Sequence, residues 1–261
     1  MTKKKLKDIQ GSPDTRRIDI DKVGVKGITY PIVVLDKKNK TQHTIASINM
    51  YVDLPHHFKG THMSRFVEIL NEHRGEITVR NFPGILEEMK RRFSAGTAHL
   101  EVEFPYFIEK AAPVSKSKGL MEYRCRYLGT LSDRQDFVLD VSVPVLTVCP
   151  CSKEISERGA HNQRGLVTVS MRFDGFVWIE DIIKTVEKSA SSPVYSLLKR
   201  VDEKYITEKS FDKPMFVEDV VREVAVNLGR EKKIKWFRVE AENSESIHNH
   251  SAYAFVERGR G

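Results

Sequence analysis

The chain has 261 residues, of which 40% are hydrophobic and 30% charged, and it carries a formal net charge of +7. This length supports one large domain or two small ones with a substantial core, and the composition is ordinary for a soluble globular protein. No apolar run approaches the length of a membrane span, and the basic segment Met1–Asp8 lacks the apolar stretch of a secretory signal. We therefore expect a cytoplasmic protein that does not enter a membrane.

The positive charge leaves two kinds of partner open, a nucleic acid or a small polyanionic substrate. Basic residues alternate with acids along most of the chain, and their short clusters at 3–5, 37–40 and 232–235 are typical of solvated faces. A nucleic-acid-binding sheet would interleave aromatic and basic side chains on one face. In Met121–Tyr127 the tyrosines alternate with the arginines, which predicts opposite faces. We expect no nucleic-acid partner.

Residues 1–20 form a polar leader in which Gly11, Ser12 and Pro13 indicate irregular structure. A helical period then predicts one helix over Met63–Arg74, ended by His73-Arg74-Gly75, and a second helix after Pro83. The apolar residues that share one face of each helix are Met63, Phe66, Val67 and Leu70, followed by Leu86, Met89 and Phe93. Strict alternation predicts strands over Thr97–Tyr106 and Met121–Tyr127.

The second half repeats this order of patterns. Alternation predicts strands over 137–145 and 167–173 and a final strand over Ala252–Val256. Helical spacing predicts one helix around 179–186 and another over 216–228, with Pro214 near its start and Gly229 just past its end. The charged segment around Glu203 has no clear helical period.

The elements indicate an α+β fold in which a strand-strand-helix-helix-strand-strand unit occurs twice, as two antiparallel sheets each with a helix pair on one face. The first set runs from about Gly27 to Tyr127 and the second from about Asp136 to Val256, so we place the modules at 21–130 and 131–261. Sheets of this kind have open edges, and edge-to-edge joining within and between chains would close them into barrels. We therefore expect a homo-oligomer.

The cysteines are Cys125, Cys149 and Cys151. An odd number in a chain of this length is not a disulfide framework, and a Cys149–Cys151 bridge would be strained, so we expect free thiols. Cys149 ends a strong predicted strand, and His161 follows a polar loop. A thiolate and an imidazole that bracket such a loop suit either a metal site or a nucleophile pair, and the alternative is a buried cysteine with a surface histidine.

Two further segments concentrate reactive side chains. Glu245, His248 and His250 precede the final strand. Glu218 and Asp219 fall in the first turn of the helix over 216–228, where acids either complement the helix dipole or offer a carboxylate to the donor edge of a guanine.

These segments resemble the type IB GTP cyclohydrolase I family, whose members have the tunnelling fold. The resemblance covers nearly the whole chain, from about Asp8 to Val256. The motifs that carry it are Asp21-Lys22-Val23-Gly24-Val25, Lys59-Gly60-Thr61-His62-Met63-Ser64-Arg65-Phe66, Cys149-Pro150-Cys151-Ser152, Gly159-Ala160-His161-Asn162-Gln163-Arg164, Phe216-Val217-Glu218-Asp219 and Glu245-Ser246-Ile247-His248.

The resemblance implies a homotetramer with two tunnelling-fold modules per chain. It implies that Cys149, His161 and Glu203 hold one divalent metal, which is zinc, manganese or iron, and that His248 is a further ligand or a proton donor to N7 of the guanine. Glu218 would anchor the guanine, and Cys149, His248 and Glu245 would form the catalytic group. Cations are needed for the triphosphate of GTP, and the candidates by motif position are Lys59, Arg65, Lys153 and Arg164.

The implied reaction is opening of the guanine imidazole ring of GTP, with release of formate and formation of 7,8-dihydroneopterin triphosphate for tetrahydrofolate biosynthesis. Three alternatives stay open. The archaeal branch of the superfamily opens GTP with ferrous iron and gives a 2',3'-cyclic phosphate. The nitrile reductase of queuosine synthesis uses a cysteine and a glutamate with NADPH, and the histidines His161 and His248 argue against it. A basic nucleic-acid-binding module is the alternative from a different class.

Overall fold

The computed structural model describes residues 10–73 and 77–259. The strands are β1 (Ile20–Asp36), β2 (Lys40–Leu54), β3 (Ala98–Ala111), β4 (Lys118–Leu131), β5 (Gln135–Val148), β6 (Asn162–Phe173), β7 (Ser192–Pro193), β8 (Ile234–Ser244) and β9 (Ser251–Gly259). The helices are α1 (Ser64–Glu72), α2 (Phe82–Phe93), α3 (Pro150–Ile155), α4 (Ile179–Lys188), α5 (Arg200–Asp212) and α6 (Val217–Gly229). The predicted α+β class is confirmed.

The strands hydrogen-bond in the order β1-β2-β3-β4-β5-β6-β8-β9, and the short β7 pairs with β5. The pairing is antiparallel, as between β5 and β6, where Val148 lies opposite Asn162, and between β6 and β8, where Arg164 lies opposite Ser244. None of the described helices combines the length and the apolar character needed to cross a membrane.

Contacts divide the chain into two compact units. The first comprises Met1–Phe104 and Arg126–Phe137. Its sheet buries every second residue of β2 and β3, and α1 and α2 bury their apolar faces. Phe82 on α2 meets the ring of Tyr127 edge-on, and a Cβ on Gly129 would lie 2.2 Å from a ring carbon of Phe82. A glycine is therefore required where this helix approaches β4.

The second unit comprises Pro105–Cys125 and Val138–Gly261. Its core is built from alternating residues of β5, β6 and β8 and from the apolar faces of α4 and α6. The sequence predicts the patterns of β5, β6, α4 and α6, whereas β8 is not among the strands that it names. The core side chains are Val141, Val143, Val145, Val167, Val169, Met171, Val239 and Ala241 on the strands and Ile179, Ile182, Ile183, Val186, Val217, Val220, Val221, Val224 and Leu228 on the helices.

Helix α1 ends at Glu72 with His73 as its C-cap, two residues before the predicted end at Arg74, and Arg74 and Gly75 lie outside the described residues. The segment around Glu203, whose helical character the sequence leaves unclear, is helix α5.

A buried ion pair holds the base of the β3–β4 hairpin against α4 in the second unit. The Nζ atom of Lys110 donates to Glu187 Oε1 at 2.6 Å, and the hydroxyl of Tyr123 donates to the same oxygen at 2.8 Å. Burial lowers the pKa of Lys110, and the neighbouring carboxylate of Glu187 opposes this shift. Breaking such a pair leaves one charge buried without compensation, so both members are needed for the hairpin to keep its place.

Candidate active site

Cys149 lies where β5 ends and α3 begins, and it is the N-cap residue of that helix. Pro150 occupies the first helical turn, where a missing N–H costs nothing. The backbone N–H of Ser152 donates to Cys149 Sγ at 3.4 Å, which orients the sulfur. Cys149 is half-buried, Cys151 is exposed and Cys125 is buried, and all are free thiols as the sequence predicts.

His161 is brought back to Cys149 by the pairing of β5 with β6. The N–H of Cys149 donates to the carbonyl oxygen of His161 at 3.1 Å. The N–H of His161 donates to Ser152 Oγ at 3.2 Å. Ser152 therefore contacts both residues through different atoms, a connecting role that its place in the Cys-Pro-Cys-Ser motif does not reveal.

The imidazole of His161 is mostly buried, and its Nδ1 atom has no hydrogen-bond partner within the part of the chain that the structure describes. The closest ionic group is Glu245, whose Oε2 lies 4.0 Å from Nδ1. That separation is too long for a hydrogen bond. The side chains of His161 and Glu245 are 17% and 11% exposed, so both reactive groups are sheltered from water.

Glu245 owes its position to strand β8, which ends at Ser244 opposite Arg164 of β6. Beneath this end of the sheet the side-chain amide of Asn243 donates to Thr147 Oγ1 at 3.1 Å, and both residues are buried. A Cβ on Gly165 would lie 2.4 Å from Asn243 Oδ1. A side chain at position 165 would block the hydrogen bond that connects β8 to β5 across β6, so glycine is required there. The sequence analysis names none of Asn243, Thr147 and Gly165.

Helix α5, which carries Glu203, lies beside the loop that carries His161. A cavity of about 460 Å³ is lined by Val148, by Gly159, Ala160 and Asn162 of the loop, and by Thr207, Glu208, Ser210, Phe211 and Asp212 of α5. Glu203 is exposed and lies one helical turn before Thr207, whose hydroxyl donates to the Glu203 carbonyl oxygen at 2.8 Å. Glu203 is not among the residues that line this cavity, although it shares a helix face with Thr207, which does line it.

His248 lies in the segment that joins β8 to β9. Its ring stacks on that of His250, with the centroids 5.1 Å apart and the planes inclined by 17°. Both histidines are exposed. The structure thus brings Cys149, His161 and Glu245 into one region, whereas no cluster of three or more His, Cys, Asp or Glu side chains placed to hold a metal ion occurs within residues 10–73 and 77–259.

Glu218 is exposed in the first turn of α6. The neighbouring Asp219 serves the end of the helix, because its Oδ2 accepts the N–H of Phe216 at 3.1 Å and its Oδ1 lies 3.3 Å from Arg222. The capping role that could explain an acid at this position therefore belongs to Asp219, and Glu218 keeps its carboxylate at the surface.

The cations predicted for the triphosphate differ in their surroundings. Arg164 is exposed near the start of β6. Lys153 donates from Nζ to the carbonyl oxygen of Phe211 at 2.5 Å and lies 4.3 Å from the centre of the Phe211 ring, so it ties α3 to the end of α5. Lys59 and Arg65 belong to the first unit, where both are exposed and Arg65 donates to the Arg92 carbonyl oxygen at 3.4 Å.

A family model described as type I GTP cyclohydrolase folE2 matches residues 6–254 of this chain. The chain belongs to this family. The resemblance to type IB GTP cyclohydrolases that the motifs predict is confirmed, because these matched residues include all the segments that carry it.

Close relatives bear the same family name. The chain is 65% identical over 252 residues to the GTP cyclohydrolase FolE2 of Syntrophotalea carbinolica, with 97% of this chain and 95% of that protein covered. It is 61% identical over 260 residues to that of a Geobacter species, with 100% and 97% covered, and 64% identical over 252 residues to that of Syntrophus aciditrophicus, with 96% and 99% covered.

Solved structures of urate oxidases share the fold. The enzyme from Bacillus sp. TB-90 superimposes with a TM-score of 0.56 at 8% identity, covering 92% of this chain and 100% of that one. The enzyme from Bacillus subtilis 168 gives 0.52 at 9% identity, covering 92% and 98%. At such low identity the likeness concerns the fold alone, and it fits the tunnelling fold.

The donors in this region fit a divalent metal in their chemistry. The buried Nδ1 of His161 lacks the partner that a buried polar atom requires, and an ion in the space beside it would supply one. A thiolate, an imidazole and a carboxylate form a mixed ligand set, which is suited to zinc and to other first-row metals. Cys149 and His161 are paired through their backbones, and Glu245 places a carboxylate in the same region.

Proposed function

We propose that this chain is a type IB GTP cyclohydrolase, which opens the imidazole ring of the guanine of GTP, releases formate and forms 7,8-dihydroneopterin triphosphate in tetrahydrofolate biosynthesis. The observation that carries the proposal is the pairing of Cys149 with His161, whose buried Nδ1 lacks a partner among the described residues, in a chain of this family. Relatives at 61–65% identity, which are named GTP cyclohydrolase FolE2, support it.

Cys149, His161 and Glu203 would hold one divalent metal, with zinc, manganese or iron as candidates, and His248 would be a further ligand or the general acid. When bound, the metal supplies the Lewis acidity that makes water nucleophilic at neutral pH. Glu245 lies beside His161 with its carboxylate sheltered from solvent. It is therefore suited to hold a proton or to orient a neighbouring imidazole while the ring opens.

Recognition of GTP would require a carboxylate for the guanine and cationic side chains for the triphosphate. The carboxylate of Glu218 accepts two parallel hydrogen bonds from the N1–H and exocyclic amine of guanine, a pattern that adenine does not offer. Arg164, Lys59 and Arg65 would bind the triphosphate, and their exposure leaves their charges available to a polyanion.

We also propose that the protein is a homotetramer of tunnelling-fold barrels, with two ββααββ modules in each chain. The hydrogen-bonded order of the sheet begins at β1 and ends at β9. Strand β9 exposes the aromatic rings of Tyr253 and Phe255, which are 60% and 49% exposed in the single chain. Pairing with another copy would cover both the strand edge and these rings.

The alternatives are less well supported. The relatives named above favour neither the archaeal branch, whose product is a 2',3'-cyclic phosphate, nor a nucleic-acid-binding module. Tyr123 and Tyr127, the tyrosines nearest in sequence to Arg124 and Arg126, are buried, so their rings are not available for bases to stack on.

The deciding experiment is incubation of the metal-free protein with GTP and, separately, zinc, manganese and ferrous ions. Formate release and pterin fluorescence are followed, and the phosphate form of the product is identified by mass. We expect formate and a linear triphosphate with at least one metal, and neither product from the Cys149→Ala protein. A cyclic phosphate would assign the chain to the archaeal-type reaction, and formate without metal would contradict metal dependence.

A further inference from the structure

Helix α5 buries few of its side chains. Of its thirteen residues, Arg200–Asp212, only Asp202 and Ser210 are buried. Its apolar side chains do not form a buried stripe, since Val201 is 54% exposed and Tyr205 is 42% exposed. Most surface helices are positioned by an apolar face against the core. Ile206 and Phe211 of α5 are only partly buried, so polar contacts supply part of what positions the helix.

The strongest of these contacts is made by Asp202, which is fully buried in the first turn. Its Oδ1 accepts the backbone N–H groups of Val114 and Ser115 at 2.8 and 2.9 Å. Its Oδ2 accepts the Ser115 hydroxyl at 2.5 Å and the N–H of Lys199 at 2.9 Å. A buried carboxylate with every oxygen engaged in this way forms strong, directional, charge-assisted bonds. Asp202 thereby joins the start of α5 to the turn between β3 and β4.

That turn is itself firmly placed. The N–H of Ala112 donates to the carbonyl oxygen of Ser117 at 2.9 Å, which closes the turn. The ion pair of Lys110 with Glu187, described above, fixes the base of the same hairpin to α4. Asp202 therefore binds a turn that is fixed to α4 of the second unit. Its hydrogen bonds hold the start of α5 against that turn.

We propose that Asp202 is a positioning residue for Glu203, the next residue on the helix. Neighbouring residues of an α-helix point in directions about 100° apart, so binding Asp202 to the hairpin sets the direction in which the Glu203 carboxylate leaves α5. The inference rests on the proposed function, in which Glu203 is a metal ligand. The hydrogen bonds of the Asp202 carboxylate go to Val114 and Ser115 of the hairpin and to Lys199, the residue before the helix.

The test is titration of the metal-free full-length protein with cobalt(II), with the thiolate charge-transfer band as the readout. Asp202→Asn keeps the size of the side chain but offers donor hydrogens to groups that are themselves donors. We expect it to weaken cobalt binding about 10- to 100-fold, the usual effect of losing a residue that orients a ligand. Glu203→Gln should weaken binding at least as much. In the Glu203→Gln background, Asp202→Asn should cause no further loss of cobalt affinity, because the carboxylate that Asp202 positions has already been removed.

Two more variants complete the design. Ser115→Ala removes the hydroxyl bond to Asp202 and leaves three backbone bonds, so it should fold even if Asp202→Asn does not, and it should still weaken cobalt binding. Asp219→Asn removes the corresponding acid from the first turn of α6 and should leave cobalt binding unchanged. Hydrogen exchange of the first-turn amides of α5 in the metal-free protein should be faster in Asp202→Asn and Ser115→Ala only.

The outcomes separate the two proposals. Wild-type cobalt affinity in both Asp202→Asn and Ser115→Ala, or additive effects of Asp202→Asn and Glu203→Gln, would overturn the positioning role and leave the metal site standing. Unchanged affinity in Glu203→Gln would remove Glu203 from the ligands and overturn the positioning role with it. Loss in Glu203→Gln, together with smaller loss in Ser115→Ala and none in Asp219→Asn, supports both.

Discussion

The backbone of Cys149 is hydrogen-bonded to that of His161, with the amide nitrogen of the first 3.1 Å from the carbonyl oxygen of the second. This bond continues the antiparallel ladder past its last pair, Val148 with Asn162. The two residues are therefore neighbours across the sheet because of strand register. A slip of one residue would turn alternate side chains to the opposite face of the sheet and separate them.

Replacement of Cys149 by alanine should abolish both metal binding and GTP turnover, because it removes the sulfur that lies beside His161. Metal content after dialysis and the rate of formate release measure the two losses. Cys151→Ala is the matched control, since Cys151 is two residues further along the chain and exposed, and it should keep most of the metal and of the activity. Full metal occupancy in the Cys149→Ala protein would show that the ligand assignment is wrong.

Replacement of Glu218 by glutamine should abolish guanine recognition and leave metal binding intact. Glutamine keeps the size of the side chain but presents one acceptor and one donor group to an edge that needs two acceptors. An unmatched polar edge in a closed site should cost on the order of 2–5 kcal/mol of binding. Equilibrium binding of GTP and metal analysis provide the two readouts.

The control for Glu218 is Asp219→Asn. Asp219 accepts the N–H of Phe216 at the start of α6, and asparagine can still accept that bond, so this change should lower the free energy of unfolding only slightly and leave GTP binding unchanged. Near-normal turnover by Glu218→Gln would exclude Glu218 from the guanine site.

Replacement of His248 by alanine distinguishes a ligand from a general acid. If His248 is a ligand, the variant should bind metal more weakly and excess metal should restore part of the rate. If it is the acid, metal and GTP should bind normally, and one limb of the pH–rate profile should change. His250→Ala is the control, because the two rings are stacked and both are exposed. An active His248→Ala beside an inactive His250→Ala would reverse the assignment.

Arg164 and Lys153 should behave differently although both lie in the family motifs. Arg164→Ala should raise the KM for GTP about 10- to 100-fold, the effect of losing a charged hydrogen bond to phosphate. Lys153→Ala should instead lower the free energy of unfolding by about 1–3 kcal/mol, because it removes the bond to the Phe211 carbonyl oxygen. Steady-state kinetics and urea unfolding test the pair. A raised KM in Lys153→Ala with unchanged stability would return Lys153 to the phosphate site.

The sequence by itself determined the elements that face a core. Alternation in β3 to β6 and the helical period of α1, α2, α4 and α6 are visible because a half-buried strand or helix must repeat its apolar residues at a fixed local spacing. The family followed from motifs in a definite order, and the match over residues 6–254 confirms it.

Only the tertiary structure decided how those motifs meet. Helix α5 has no apolar stripe to predict, and its place is set by the bonds of Asp202 to a hairpin 87 residues earlier in the chain. The 4.0 Å approach of Glu245 to His161 and the buried bond of Asn243 to Thr147 depend on the register of three strands. Polar contacts between distant residues carry no local period, so their positions become known only when the chain is folded.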